Sequence, residues 1–140
     1  MAITRAALDV LFSGAQGATL ASGNGTVISD VFVFNTLTIA AILQIKTITS
    51  GAGPVAGDTF SVYIAYSTGD VDGDATEDYD TDKHAQLVMT IQPSLDGSAV
   101  GQVSTASRWI SPVAAKGRCI IICTGTNQKV MYGNILEVRG

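Results

Sequence analysis

One stretch restricts the folds open to this chain. Residues 35–50 read NTLTIAAILQIKTITS, and from Leu37 to Ile45 every odd position is apolar: Leu37, Ile39, Ala41, Leu43, Ile45. Thr38, Ala40, Ile42, Gln44 and Lys46 fill the alternate positions. A repeat of two marks a strand with one buried face. A helix of this length is the rival reading. Thr and Ile fill much of the stretch, however, and β-branched side chains are stiff at χ1 and pack well on a pleated surface. The stretch is therefore predicted to be the central strand, with its odd face inward.

The rest of the chain supplies shorter strands and many turns. Residues 59–67 (TFSVYIAYS) alternate cleanly, with Phe60, Val62, Ile64 and Tyr66 on one side. They are predicted to pair antiparallel with the central strand through the glycine loop at 51–57. Residues 86–91 (QLVMTI) put Leu87, Met89 and Ile91 inward, before a PSLDG turn at 93–97. Residues 100–110 form a weaker strand that Ser111-Pro112 breaks, and RCIIICT at 118–124 reads as a strand buried on both faces. Residues 130–132 and 134–139 close the chain. Near the start, Gly23-Asn24-Gly25 suggests a hairpin turn between 19–21 and 26–28. Seven or eight strands with turn signals about every 8–14 residues, and no amphipathic helix, predict an all-β fold. The expected form is a single-domain antiparallel β-sandwich, jelly-roll-like because of the long connections. Residues 1–25 are expected to form an N-terminal arm and edge ribbon, and 26–140 the sandwich.

Composition narrows the function classes. Charged residues make up 14%, against roughly 25% in ordinary globular chains. The exterior must then be largely neutral, which suits a protein packed against neighbours and equally a compact monomer. The net charge of −4 argues against affinity built on phosphate contacts. No apolar run is long enough for a membrane span, and Asp9 interrupts the only apolar patch near the N-terminus, against a secretory signal.

Chemistry has few places to sit. Seven of the twelve carboxylates crowd between Asp70 and Asp82: Asp70, Asp72, Asp74, Glu77, Asp78, Asp80 and Asp82. Asp70-Val-Asp72-Gly-Asp74 spaces oxygen ligands as a calcium loop does, but Ala75 and Thr81 stand where that loop needs glycine and a bidentate glutamate. Asp70, Asp72, Asp74 and Asp78 remain candidate ligands for a hard cation in another geometry. A solvated, self-repelling, extended loop is the simpler reading, and contact with a basic neighbour is a third. Acids on a loop without apolar packing are poor partners for glycoside hydrolysis. His84 is the only histidine and no G-x-S-x-G motif is present, so a serine triad is not expected. Cys119 and Cys123 sit four apart in one strand, about 13 Å at ~3.3 Å per residue. They can neither pair nor share a tetrahedral metal, and read as buried apolar thiols. The glycine-rich stretches at 13–17 and 50–54 lack the Gly-Lys-Ser/Thr ending of a phosphate loop. Trp109, Tyr63, Tyr66, Tyr79 and Tyr132 could form a sugar-stacking platform; a core or interface anchor is the plainer role for Trp109.

Taken together, the pattern resembles the capsid decoration, or cement, proteins of tailed bacteriophages. The Gly/Ala/Ser/Thr-rich arm at 1–25, the stretch from Thr36 to Asp70, and the acidic loop followed by LVMTI at 87–91 carry the likeness. The resemblance implies a non-enzymatic virion protein on the outer capsid surface, synthesised in the host cytoplasm. It implies the major capsid protein as partner, a homo-oligomer (trimer or dimer), no cofactor, and no direct contact with nucleic acid or membrane. On that reading the arm makes the contacts through Ile3, Leu8, Val10 and Phe12, with Trp109 added from the body. Two alternatives stand beside it: a carbohydrate-binding β-sandwich module, possibly calcium-assisted, and a head-fibre or tail component.

Overall fold

The computed structural model describes residues 2–21, 23–49, 58–81, 84–92 and 102–140. The glycine loop at 51–57, the turn at 93–97 and Asp82 lie outside these residues.

The strands are β1 (Thr4–Phe12), β2 (Ala15–Gln16), β3 (Ala18–Leu20), β4 (Gly25–Ile28), β5 (Phe32–Val33), β6 (Thr38–Thr49), β7 (Thr59–Ser67), β8 (Gln86–Ile91), β9 (Gln102–Ile110), β10 (Lys116–Thr124) and β11 (Lys129–Arg139). They form two antiparallel sheets. The large one runs β2-β1-β11-β6-β9, with β3 against β11; the small one runs β4-β10-β7-β8, with β5 against β10. β3 continues the lane of β1, and β4 and β5 share one lane. The chain thus crosses repeatedly from sheet to sheet, which is the jelly-roll winding. The fold class expected from alternation is the one observed.

Particular pairings differ from expectation. β6 and β7 are not neighbours: β6 pairs with β11 and β9, while β7 pairs with β10 and β8. Alternation fixes which side chains face inward but not which strand lies alongside. Likewise Gly23 to Gly25 is not a hairpin, because β3 joins the large sheet and β4 the small one. The two closing segments are one strand, β11.

The inward face of β6 holds Ala41, Leu43 and Ile45, fully buried, and continues through Thr47 and Thr49. Leu37 and Ile39 leave that pattern, at 59% and 63% exposed. Leu37 precedes the strand, and the β6–β11 register slips between Val138 and Arg139, so Ile39 is the unpaired residue of a bulge. A second bulge flips Leu87. Val62 pairs with Met89 but Tyr63 with Leu87, so Val88 is skipped, and Leu87 faces out while Met89 and Ile91 face in.

The arm expected at 1–25 is woven into the sandwich. β1 pairs with β11 from Thr4↔Arg139 to Val10↔Gly133. Val10 and Phe12, expected at an interface, are core residues at 1% and 5% exposure. Gly133 explains the closeness: a Cβ there would lie 3.0 Å from Val10 and 3.1 Å from Ile45. At the gap between β4 and β5 the Ser29 amide donates to the Cys119 carbonyl (2.9 Å), and the Ser29 hydroxyl accepts from the Cys119 amide (2.8 Å). A side chain thereby replaces a missing backbone partner. Asp30 then ties the sheets together: its amide donates to the Leu11 carbonyl at 2.8 Å, and its carboxylate accepts the Ser13 and Gly14 amides.

Three buried charged residues went unread in the sequence. Lys129 and Asp58 are both fully buried and form an ion pair at 3.1 Å between the first turn of β11 and the entry to β7. Asn127 closes the cluster, its carbonyl accepting from Lys129 at 3.1 Å and its amide donating to Asp58 at 3.0 Å. Gly125, at φ +112°, is required beside it, since a Cβ would meet Asp58 Oδ1 at 1.7 Å. Glu137 occupies an inward position of β11 at 1% exposure. It accepts from the Asn35 amide (2.8 Å), the Thr38 hydroxyl and Arg139 (2.9 Å). Burial pushes its pKa up, but those donors outweigh burial and hold it below the usual carboxylate value.

Candidate functional site

The acidic loop is a folded hairpin rather than an extended chain. Gly69 and Asp78 form a bridge, and the Asp80 amide donates to the Tyr66 carbonyl at 3.0 Å, so the returning limb extends the edge of β7. Its carboxylates fold their own backbone. Asp70 accepts the Gly73 and Ala75 amides at 2.7 and 2.8 Å, Asp74 accepts Thr76 at 2.7 Å, and Asp78 accepts Val71 at 2.8 Å. Such Asx turns are what short acidic side chains do in loops. The amides of Ala75 and Gly73 hold the Asp70 carboxyl below its ordinary pKa. Beneath the loop, Glu77 pairs with Lys116 at 2.6 Å, and each group favours the charged form of the other. Tyr79 lies on Arg118, 4.9 Å from ring centroid to guanidinium carbon.

Of the four expected cation ligands, the fold gathers three. Asp70, Asp72 and Asp78 can each bring one oxygen within 4.8 Å of the others, all exposed; Asp74 is outside the group. That spacing would admit a calcium ion, which wants six to eight oxygens at roughly 2.3–2.6 Å. Three carboxylates already engaged by backbone amides fall short of that set. His84 is exposed in a turn, its amide donating to the Thr81 carbonyl at 2.8 Å.

Cys119 and Cys123 face the core from β10 and are free and buried. Burial, eased for Cys119 by the Ser29 hydroxyl, pushes their pKa values up to about 12 and about 11. They act as small apolar groups, as expected from their spacing.

The five aromatics do not share one platform. Tyr66 is half-buried, and its hydroxyl accepts the Ser111 amide at 3.1 Å; burial raises its pKa. It separates two recesses, one of about 260 Å³ with Gln86 and Val113, the other of about 370 Å³ with Asp78 and Asp80. Asp80 in the second accepts the Tyr66 amide. Tyr63 stands on the outer face of the small sheet. Trp109 and Tyr132 share the outside of the large sheet.

Registry places two cross-strand rows on that outer face. Ala7, Leu136, Ile42 and Trp109 lie side by side across β1, β11, β6 and β9, and Asp9, Asn134, Gln44 and Ser107 form the next polar row. Trp109 is 67% exposed. The small sheet also carries an apolar row: Ile28, Ile120, Tyr63 and Leu87 across β4, β10, β7 and β8. Neither row is visible as a sequence motif, because its members come from four separate strands. Of the other expected contact residues, Ile3 is 65% exposed and Leu8 packs partly against the core.

No family model matches the chain, and no curated protein matches it. Solved structures do. Dimeric latent PorU from Porphyromonas gingivalis aligns with a TM-score of 0.54 at 12% identity, over 98% of this chain and 12% of that one. The T13 particle of infectious bursal disease virus gives 0.50 at 12%, over 98% of this chain and 31% of that one. BuGH86 in complex with neoagarooctaose gives 0.52 at 5%, over 97% and 19%. The chain thus spans between about an eighth and a third of these proteins, and the likeness is one of fold. The class so defined is an all-β jelly-roll sandwich of the kind found in viral particles and as part of larger proteins.

Proposed function

We propose that the chain is a non-enzymatic structural protein of a virion, seated on the outer capsid surface with the major capsid protein as partner. The observation that carries this reading is the small sheet's outer row. Ile28 and Leu87, 46% and 58% exposed, stand at the two ends of a row whose inner members are fully buried Ile120 and half-buried Tyr63. Isolated exposed aliphatics need no explanation, but two held at fixed positions on one apolar sheet face offer a contact surface. The fold likeness to infectious bursal disease virus particles supports the reading without fixing it, since one fold hosts many functions. Each contact would be modest, and many copies over a shell multiply them.

The experiment mixes the purified chain with shells of the major capsid protein from the same source and sediments them. The chain should co-sediment and raise the temperature at which shells break. Leu87→Asp and Ile28→Asp should each remain folded and lose binding. A chain that never co-sediments, or one whose two variants bind undiminished, refutes the reading.

A further inference from the structure

We infer that the groove across the outer face of the large sheet, from Trp109 to Tyr132, binds a neutral oligosaccharide chain. Two adjoining hollows form it. One, of about 360 Å³, is lined by Ile42, Gln44, Ser107, Asn134 and Leu136. The other, of about 150 Å³, shares Gln44 and Asn134 and adds Gln16, Lys46 and Tyr132. Tyr132 lines the second hollow; Trp109 lines neither, but its register with Ile42 and its place two residues from Ser107 on β9 set it beside the first. Trp109 pairs with Ile42 and Tyr132 with Lys46, four residues apart on β6 and on its two flanking strands. That places them about 13 Å apart along the strand and about 10 Å across it, a span for several sugar rings.

The chemistry of the floor selects the ligand class. Gln16, Gln44 and Asn134 are carboxamides, each offering donors and an acceptor in a fixed plane, and Ser107 offers a hydroxyl. Sugar hydroxyls likewise donate and accept, so such a row can satisfy them in either sense. Gln44 is already oriented by its bond to Ser107 at 3.1 Å. The exposed indole at one end offers a flat apolar surface for the C–H face of a sugar ring. At the other end Lys46 lies 6.0 Å from the centroid of Tyr132 and steadies that ring. Lys46 is the one charged residue lining the hollows, with Asp9 beside Asn134 in register and Arg108 bonded to the Ser107 carbonyl at the rim; the floor itself is uncharged amide and hydroxyl. Both sheets carry an apolar row, but the carboxamide row beside it belongs to the large sheet alone among the rows described. Because the residues stand on paired strands, little ordering would accompany binding.

The inference is independent of capsid attachment, and its test leaves that surface untouched. The chain contains one tryptophan, so its fluorescence reports Trp109 alone. Cellohexaose, chitohexaose, xylohexaose, mannohexaose, laminarihexaose and agar-derived hexaose are titrated in turn, and retardation is read in gels containing the matching polysaccharides. At least one should give a saturable fluorescence change and retardation. Trp109→Ala and Gln44→Ala with Asn134→Ala, all at surface positions, should weaken retardation at least tenfold with unfolding curves unchanged. No response to any of the six overturns the inference, as does retardation that survives both variants. A concentration-dependent change in Trp109 emission without sugar, matched by dimers in sedimentation, would assign the groove to a second copy and equally overturn it.

Discussion

Replacing Lys129 by methionine should destabilise the sandwich by roughly 3–5 kcal/mol, the usual consequence of stranding one member of a buried ion pair. Both side chains of the Lys129–Asp58 pair are fully buried, and the lysine reaches Asp58 Oδ1 and the Asn127 carbonyl at 3.1 Å each. Methionine keeps most of the volume beside Phe60, whose ring centroid lies 5.9 Å from the ammonium. Loss of packing is therefore small, and the cost falls on the buried Asp58 carboxylate, which keeps the Asn127 amide donor but loses its counter-charge. For a domain of this size that corresponds to a fall in Tm of about 10–20 °C. Urea unfolding followed by far-ultraviolet circular dichroism gives the free energy, with an unchanged slope confirming that the native state alone was altered. Adding Asp58→Asn removes the stranded charge and should restore about 2 kcal/mol of the loss. A cost below about 1 kcal/mol, the range of exposed pairs, would refute the reasoning. So would a double variant no more stable than Lys129→Met.

Three further outcomes follow from the same structure. An aromatic disulfide reagent at mildly alkaline pH should label neither Cys119 nor Cys123 in the native protein and both in strong denaturant, because burial keeps the thiols protonated; native labelling at the rate of a free thiol contradicts this. Glu137 has a folded pKa below its ordinary value, so its contribution to stability is present at neutral pH and disappears as pH falls through the folded value. Glu137→Gln should flatten the acid side of a plot of Tm against pH, and an unaltered acid limb would count against the assigned hydrogen bonds. Val10→Ala should cost about 2 kcal/mol through lost burial and a cavity, whereas Ile3→Ala, on a residue 65% exposed, should change denaturant midpoints little. Equal effects would mean that β1 is not part of the core.

Period-two alternation in residues 37–49 and 59–67 determined by itself that the chain is all-β and which of their side chains face inward over most of their length. That follows because facing along a strand is a local property of the backbone. The spacing of Cys119 and Cys123 was equally local, and both thiols are buried and unpaired. Glu137 was legible in principle, since a carboxylate follows Ile135 at the inward phase of NILEVR and must then find donors. Lys129 offered the same signal in phase with Met131. The bulges at Ile39 and Val88 were not legible, because a skipped residue is fixed by the partner strand. Nor was the embedding of β1: Val10 and Phe12 look like any apolar patch until β1 pairs with β11, where Gly133 lets Val10 approach. Strand neighbours were beyond local reading too, as the separation of β6 from β7 shows. The row from Asp9 through Asn134 and Gln44 to Ser107 exists only where four strands distant in sequence come into register. Local chemistry chose strands and their faces; the tertiary pairing chose which faces meet and so composed the surfaces available for binding.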